Sequence, residues 1–367
     1  MPLKERAQQV ADRAKPLTNQ VVERSKPLER HARRAARRAM PPPKLRPYAM
    51  PVAAAVHEAR WRIRLARAPT ITGAEHAARV GLRDIEEVIG CSLCGEERMQ
   101  PLFTPTGKKG RWRYHVVRCP TCGFLYRHPG IKPERLGELY AGRYDRFLTG
   151  RYARKRQRKY EVVMDGFGSL FAEGKGRRLL DYGCGAGLFL ELAHERGFAG
   201  YGVDLSESSV ERARTRPGGE HAYFGAPLDV PEIAAGGFDV ITLWSVMAHL
   251  PKPVDDLRML RSLLAPGGII LILTVNANSL QLKAKGADWN GFTPNHLKFF
   301  SPTTLERALT LAGFERATMP PVYSYEVEKG KAGLRPRDER RLRRVIARGN
   351  RGNMIRAVAY ASENAGA

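Results

Sequence analysis

Downstream of residue 176 the chain alternates short, nearly continuous apolar runs with longer stretches whose apolar positions recur every three or four residues. The runs at 178–181, 199–203, 221–224, 238–243 and 268–275 predict strands covered on both faces. Strands of that kind interleaved with helices predict an α/β fold: a parallel, doubly wound sheet. A helix over 254–264 is bounded by Pro251 and Pro253 before it and by Pro266-Gly267-Gly268 after it. Residues 315–328 and 353–360 predict a final antiparallel pair, separated by a basic helical insertion.

Upstream the pattern changes. Leu3, Ala7, Val10, Ala14, Leu17, Val21 and Leu28 fall at steps of three or four, with Ser25 filling one place. They form a weakly apolar helical stripe in an 11-residue near-repeat, which Pro16 and Pro27 kink or break. A basic run over 30–38 and the triplet Pro41-Pro42-Pro43 follow. Residues 48–70 predict another helix, with Trp61 among arginines as a packing contact. Trp112 to Val117 alternates like a strand. The predicted organisation is a basic helical, partly disordered extension (1–83), a cysteine-bearing ribbon (84–130), a helical linker (131–175), the α/β domain (176–328) and a basic insertion with the last strand (329–367).

Charge sharpens that division. The chain carries a formal +25 over 367 residues. Residues 1–72 hold +12, 73–142 hold +3, 143–175 hold +5 and 329–367 hold +8, whereas 176–328 holds −3. The positive charge therefore lies outside the α/β domain, which predicts appendages drawn to an anionic partner. Nucleic acid and an anionic membrane surface are both of that kind, although the weak Ala/Val stripe argues against deep lipid insertion. No apolar run approaches the ~18 residues of a membrane helix, and the start lacks an apolar signal core, so a cytoplasmic location is expected.

Cys91-Ser-Leu-Cys94-Gly95 and Cys119-Pro-Thr-Cys122-Gly123 are matching knuckles. Each C-x-x-C turn aims two thiolates at one ion, and the glycine lets the backbone bend beneath the sulfurs. Four sulfur ligands (Cys91, Cys94, Cys119 and Cys122) suit tetrahedral Zn²⁺ in a structural role and leave His115 surplus. In Arg178-Leu-Leu-Asp181-Tyr-Gly183-Cys-Gly185-Ala-Gly187-Leu188, an apolar strand runs into a glycine loop that opens a helix. The glycines allow close approach of a ligand to the backbone, and the helix N-terminus suits an anionic group. Asp204, 23 residues after Asp181, stands where the second strand of a βαβ unit offers a carboxylate to ribose hydroxyls. Cys184 reads as a packing residue.

These residues resemble the class I S-adenosylmethionine-dependent methyltransferases. Phe238-Asp-Val-Ile-Thr-Leu-Trp244-Ser-Val-Met-Ala-His249-Leu250 looks like that family's fourth strand and following loop. Leu264-Ala-Pro-Gly-Gly-Ile-Ile-Leu-Ile-Leu273 looks like its tight turn and fifth strand. His296-Leu-Lys-Phe-Phe-Ser301 with Leu311-Ala-Gly-Phe314 looks like a subgroup that methylates small metabolites and sugars, some with N-terminal cysteine pairs. The resemblance implies a Rossmann-like seven-stranded sheet carrying an N-terminal zinc ribbon. It also implies cofactor contacts from Asp181, Gly183, Gly185, Gly187, Asp204, Leu205, Asp229 and Trp244. The family's adenine-binding Asp is replaced by Ala226 after Gly225, leaving Asp229 or backbone for that contact. The segment around Tyr140 and Tyr144 resembles a cofactor-covering lead-in.

Methyl transfer needs an aligned nucleophile and a proton acceptor. His249 and His296 are the candidate bases, and Trp289, Asn290 and Phe292 the candidate acceptor lining. The expected activity is transfer to a small, anionic metabolite, such as a nucleotide-linked sugar or natural-product intermediate. An RNA methyltransferase and a non-catalytic scaffold on a membrane or acidic partner are the competing readings. The sequence does not specify the methylated atom or the oligomeric state.

Overall fold

Adjacent residues of the central strands find apolar partners on opposite sides, because the main sheet is covered on both faces. In the computed structural model, which describes residues 50–105, 114–136, 150–171, 174–322 and 336–361, seven strands form that sheet. They are β7 (Arg178–Tyr182), β8 (Ala199–Asp204), β9 (Ala222–Phe224), β10 (Phe238–Trp244), β11 (Leu264–Val275), β13 (Arg316–Thr318) and β14 (Met354–Tyr360). Their order is β13-β14-β11-β10-β7-β8-β9, parallel from β11 to β9, with β14 antiparallel to both of its neighbours.

Period-two geometry sends Leu180, Ile241, Ile270 and Ile272 to one face and Leu179, Val240, Ile269 and Leu271 to the other, each set in its own core cluster. Helices α4 (Leu188–Glu195), α5 (Glu207–Arg214) and α6 (Pro253–Ser262) make connections between these strands. Helix α6 stops at Ser262, earlier than expected, and β11 starts at Leu264, because Phe238 N–H bonds to the Leu263 carbonyl. The expected strand over 315–328 is limited to β13 among the described residues, and 323–335 lie outside them.

A second sheet is built from β1 (Ile71–Thr72), β3 (Arg98–Phe103), β4 (His115–Arg118), β5 (Leu125–His128) and β12 (Lys298–Phe299), in the order β1-β3-β4-β5-β12. Its outer strands come from beyond 84–130, so this sheet takes in more of the chain than the ribbon expected there. Strand β12, contributed by the stretch after β11, pairs Lys298 with Tyr126 and Phe299 with Leu125. Phe299 and Phe300 are fully buried. Phe299 packs with Phe292, Trp289 and Phe103, and Trp61 stacks on Phe103 at 5.7 Å. A two-stranded pair, β2 (Glu86–Glu87) and β6 (Gly130–Ile131), closes the ribbon. Helix α2 (Gly73–Val80) leads out of β1 behind a capping box of Thr72 and Glu75, and α3 (Gly150–Asp165) leads into the main sheet.

The chain divides into two compact units, Met1–Ala53 and Ala54–Ala367. Of the first unit only the start of helix α1 (Met50–Arg67) is described. The expected amphipathic repeat, the basic run 30–38 and the Tyr140–Tyr144 segment lie outside the described residues, as does Trp112. No helix among the described residues is long and apolar enough to cross a membrane.

Candidate functional site

The two knuckles fold as their sequences require. Gly95 and Gly123 adopt φ of 73° and 75°, and their N–H groups donate to the Cys91 and Cys119 carbonyls at 2.9 and 3.0 Å. A side chain at either position would strain that turn. The Sγ atoms of Cys91 and Cys122 lie 3.5 Å apart, as do those of Cys94 and Cys119, and all four fall within 4.8 Å of one another. Tetrahedral zinc with ~2.3 Å bonds places its sulfurs about 3.8 Å apart, so the donor set fits that ion. The contact with Cys122 raises the Cys91 thiol and holds Cys122 down, to about 5.

At the carboxyl end of the main sheet, the loop 183–187 turns through three residues in the left-handed region, where glycine alone is unstrained. The N–H groups of Gly183 and Cys184 both donate to the Val203 carbonyl, which bends the loop over β8. A Cβ on Gly183 would lie 2.6 Å from Val246 Cγ2, and one on Gly187 would lie 3.0 Å from Ala213, so both sit against protein. Gly185 has open space on that side. The loop therefore presents its free surface at Gly185.

Asp204 ends β8 and accepts two backbone hydrogen bonds, from Gly185 N–H to Oδ2 and from Ser206 N–H to Oδ1, each 2.9 Å. Its carboxylate thus pins the loop before any ligand arrives. Burial raises its pKa, and those amides oppose the shift. Asp181, only 2% exposed, accepts from Thr242 Oγ1 at 2.7 Å across the β7–β10 register. Burial pushes its pKa up to about 7, against the pull of that hydroxyl. Leu205, Phe224 and Leu228 follow the same strand ends and are 60%, 53% and 58% exposed. Three large apolar side chains left in solvent beside a glycine loop mark a surface suited to a flat apolar ring. Phe224 and Leu228 were missed in the sequence, since isolated apolar residues near turns carry no periodic signal. Asp229 is exposed in the short turn after Leu228.

The turn after β10 holds Ser245 at φ 65°, an uncommon conformation for a residue with a Cβ. His249 follows, its N–H bonded to the carbonyl of Val246, the residue that faces Gly183. The structure brings both candidate bases together. The His249 and His296 rings meet edge to face at 4.8 Å. Leu297 N–H donates to the Ala248 carbonyl at 2.7 Å, fastening the two segments. His296 Nδ1 lies 2.7 Å from the Gly291 carbonyl, which only accepts; that nitrogen therefore carries the proton and Nε2 keeps its lone pair. Burial, then the neighbouring His296, push His249 down to about 3, and burial also lowers His296. Both rings are therefore neutral at pH 7.

Three expected site residues are core residues instead. Trp244 is 4% exposed and packs on Phe189 (4.8 Å between centroids) and Phe167 (5.8 Å). Trp289 and Phe292 are 3% and 1% exposed and hold the second sheet's aromatic cluster, leaving exposed Asn290 as the remaining member of that lining. An aromatic residue at a strand end points into the core or the crevice according to a one-residue difference in register. Cys184 is buried in packing, as expected.

A family model described as a methyltransferase domain matches residues 151–318. The ubiquinone biosynthesis O-methyltransferase of Bordetella avium (strain 197N) is 31% identical over 175 residues, spanning 44% of this chain and 70% of that protein. Its namesake from Neisseria meningitidis serogroup C (strain 053442) is 30% identical over 171 residues, 40% of this chain and 67% of that one. A solved SAM-dependent methyltransferase from Archaeoglobus fulgidus is 21% identical with a TM-score of 0.42, covering 61% of this chain and 99% of that chain.

Proposed function

Because the chain belongs to the class I S-adenosylmethionine-dependent methyltransferases, we propose that it methylates a hydroxyl oxygen of a small, anionic metabolite such as a nucleotide-linked sugar or natural-product intermediate. Bound S-adenosylmethionine supplies an electrophilic methyl group on a sulfonium. The amino-acid end lies against the free surface of the loop at Gly185, Asp181 faces its ammonium, Asp204 takes the ribose hydroxyls, and Leu205, Phe224 and Leu228 cover the base. A structural zinc is held by Cys91, Cys94, Cys119 and Cys122.

The observation that carries the choice of a hydroxyl is the neutral, buried His249–His296 pair, tied through Val246 to the glycine loop. A hydroxyl needs its proton taken up as the methyl arrives, and the lone pair on His296 Nε2, with His249 packed against that ring, is the acceptor this pair offers. The activity for which the relatives are named, O-methyl transfer, supports the same atom. His249→Ala is expected to slow transfer by about 100-fold or more while leaving affinity for S-adenosylhomocysteine intact. A mass-shift assay on hydroxylated anionic acceptors, paired with calorimetry, reads both quantities. Unchanged turnover in the variant would remove the pair from the reaction.

Asp181 gives a pH-dependent check. Its folded pKa, about 7, is raised above the ordinary value, so its contribution to stability is complete below about pH 4 and lost as pH rises through 7. Asp181→Asn removes that liability. The variant's melting temperature relative to the parent is expected to be higher at pH 8 than at pH 5, with weaker binding of S-adenosylhomocysteine. Equal differences at both pH values would mean that the carboxyl is not held neutral by burial.

A further inference from the structure

Between the first cysteine knuckle and the start of α6 lies a cleft of about 440 Å³. Arg127 and Lys298 reach it from the second sheet, and Pro251, Lys252 and Asp255 border it from the α6 side. Arg127 and Lys298 are 2% and 3% exposed. Arg127 is fully engaged: it pairs with Glu86 at 2.8 Å and donates to the carbonyls of Pro294 and Pro129. Lys298 is different. Its Nζ lies 5.6 Å from the centroid of the Tyr126 ring, and among the described residues no carboxylate or hydrogen-bond acceptor pairs with it.

A buried ammonium with no hydrogen-bonded partner is costly, and its three donors here border a space of ligand size. The hydroxyl of Ser92, also on the cleft, is buried without a partner. The acids on the cleft lie toward solvent: Glu97 and Asp255 are exposed and Glu87 half-buried; Cys91, also on the cleft, and Glu87 act on Lys298 through space, and neither is hydrogen-bonded to it. Leu297 borders the cleft and follows His296 directly, so the cleft adjoins the turn that carries the histidine pair.

We propose that this cleft is an anion-binding subsite, with Lys298 at its floor and Lys252 at its rim, which receives a phosphate or carboxylate end of the acceptor. Assignment of the anion to the acceptor rests on the methyl-transfer reading; anion binding itself does not. The test is calorimetry on the full, zinc-loaded chain with inorganic pyrophosphate and, separately, malonate, at constant ionic strength. S-adenosylhomocysteine affinity and zinc content are measured on every sample.

At least one probe is expected to bind, and which one distinguishes phosphate from carboxylate recognition. Lys298→Met is expected to weaken that binding by at least about 10-fold with zinc and S-adenosylhomocysteine affinity retained, the scale of a lost charge-assisted hydrogen bond. Lys252→Glu, an exposed change that leaves the floor untouched, is expected to weaken it several-fold and decides the matter if the buried substitution does not fold. Failure of both probes to bind the parent, or unchanged affinity in the variants, overturns the proposal. Loss of zinc from Lys298→Met, with neither probe binding the parent, would assign the ammonium to the cysteine sulfurs instead. S-adenosylhomocysteine binding without binding of either anion would sink this subsite while sparing the methyl-transfer reading.

Discussion

Asp204→Ala is expected to lower affinity for S-adenosylhomocysteine by about 100-fold or more, the largest effect of any single substitution in the crevice. Two contributions combine. The carboxylate offers charge-assisted hydrogen bonds to ribose, at about 1.5–3 kcal/mol each, where 1.4 kcal/mol is tenfold. The same oxygens hold Gly185 and Ser206 N–H at 2.9 Å, so truncation also releases the loop that the ligand must meet preformed. The circular dichroism spectrum should be unchanged, since Asp204 is only part-buried and its strand is held by β7 and β9. Asp204→Asn keeps the shape and one acceptor oxygen and should fall between alanine and the parent. Calorimetry on ligand-stripped protein gives the comparison, and full affinity in the alanine variant would refute the ribose assignment.

Metal analysis of the parent is expected to find one zinc per chain, and Cys91→Ser with Cys119→Ser to find none. The doubly substituted protein should melt at least about 10 °C lower, a modest share of the ~10 kcal/mol or more that structural zinc contributes in small domains. Four sulfurs crowded within 4.8 Å repel one another once ionised. The second sheet would also lose the turns that set its strand register, and Cys91 and Cys119 share a core cluster with Leu180 and Ile241 of the main sheet. Zinc absent from the parent, or an unchanged melting temperature in the variant, would contradict this. Calorimetric scans with and without a chelator provide the check.

The strands of the main sheet were legible because burial on both faces writes them as unbroken apolar runs, as in the segment from Ile269 to Leu273. The glycine loop and the knuckles were legible for another reason: positive φ admits few residues, and metal ligands must sit at fixed spacing. What failed was orientation. Trp244, Trp289 and Phe292 carry the same letters whether they line a crevice or fill a core, and only tertiary packing decides. Lys298 was equally opaque. Its neighbours suggest an ordinary strand end, and only pairing with Tyr126, far away in sequence, buries it. The meeting of His249 with His296 was hidden likewise, since an insertion's return point is not encoded locally.

Strand β12 has a practical consequence for anyone trimming this protein to a minimal catalyst. A chain begun after the cysteine region would strip the cover from Phe299 and Phe300, and exposed aromatic pairs of that kind invite aggregation. The ribbon is thus no detachable accessory: the α/β part of the chain spends one of its own strands to complete it.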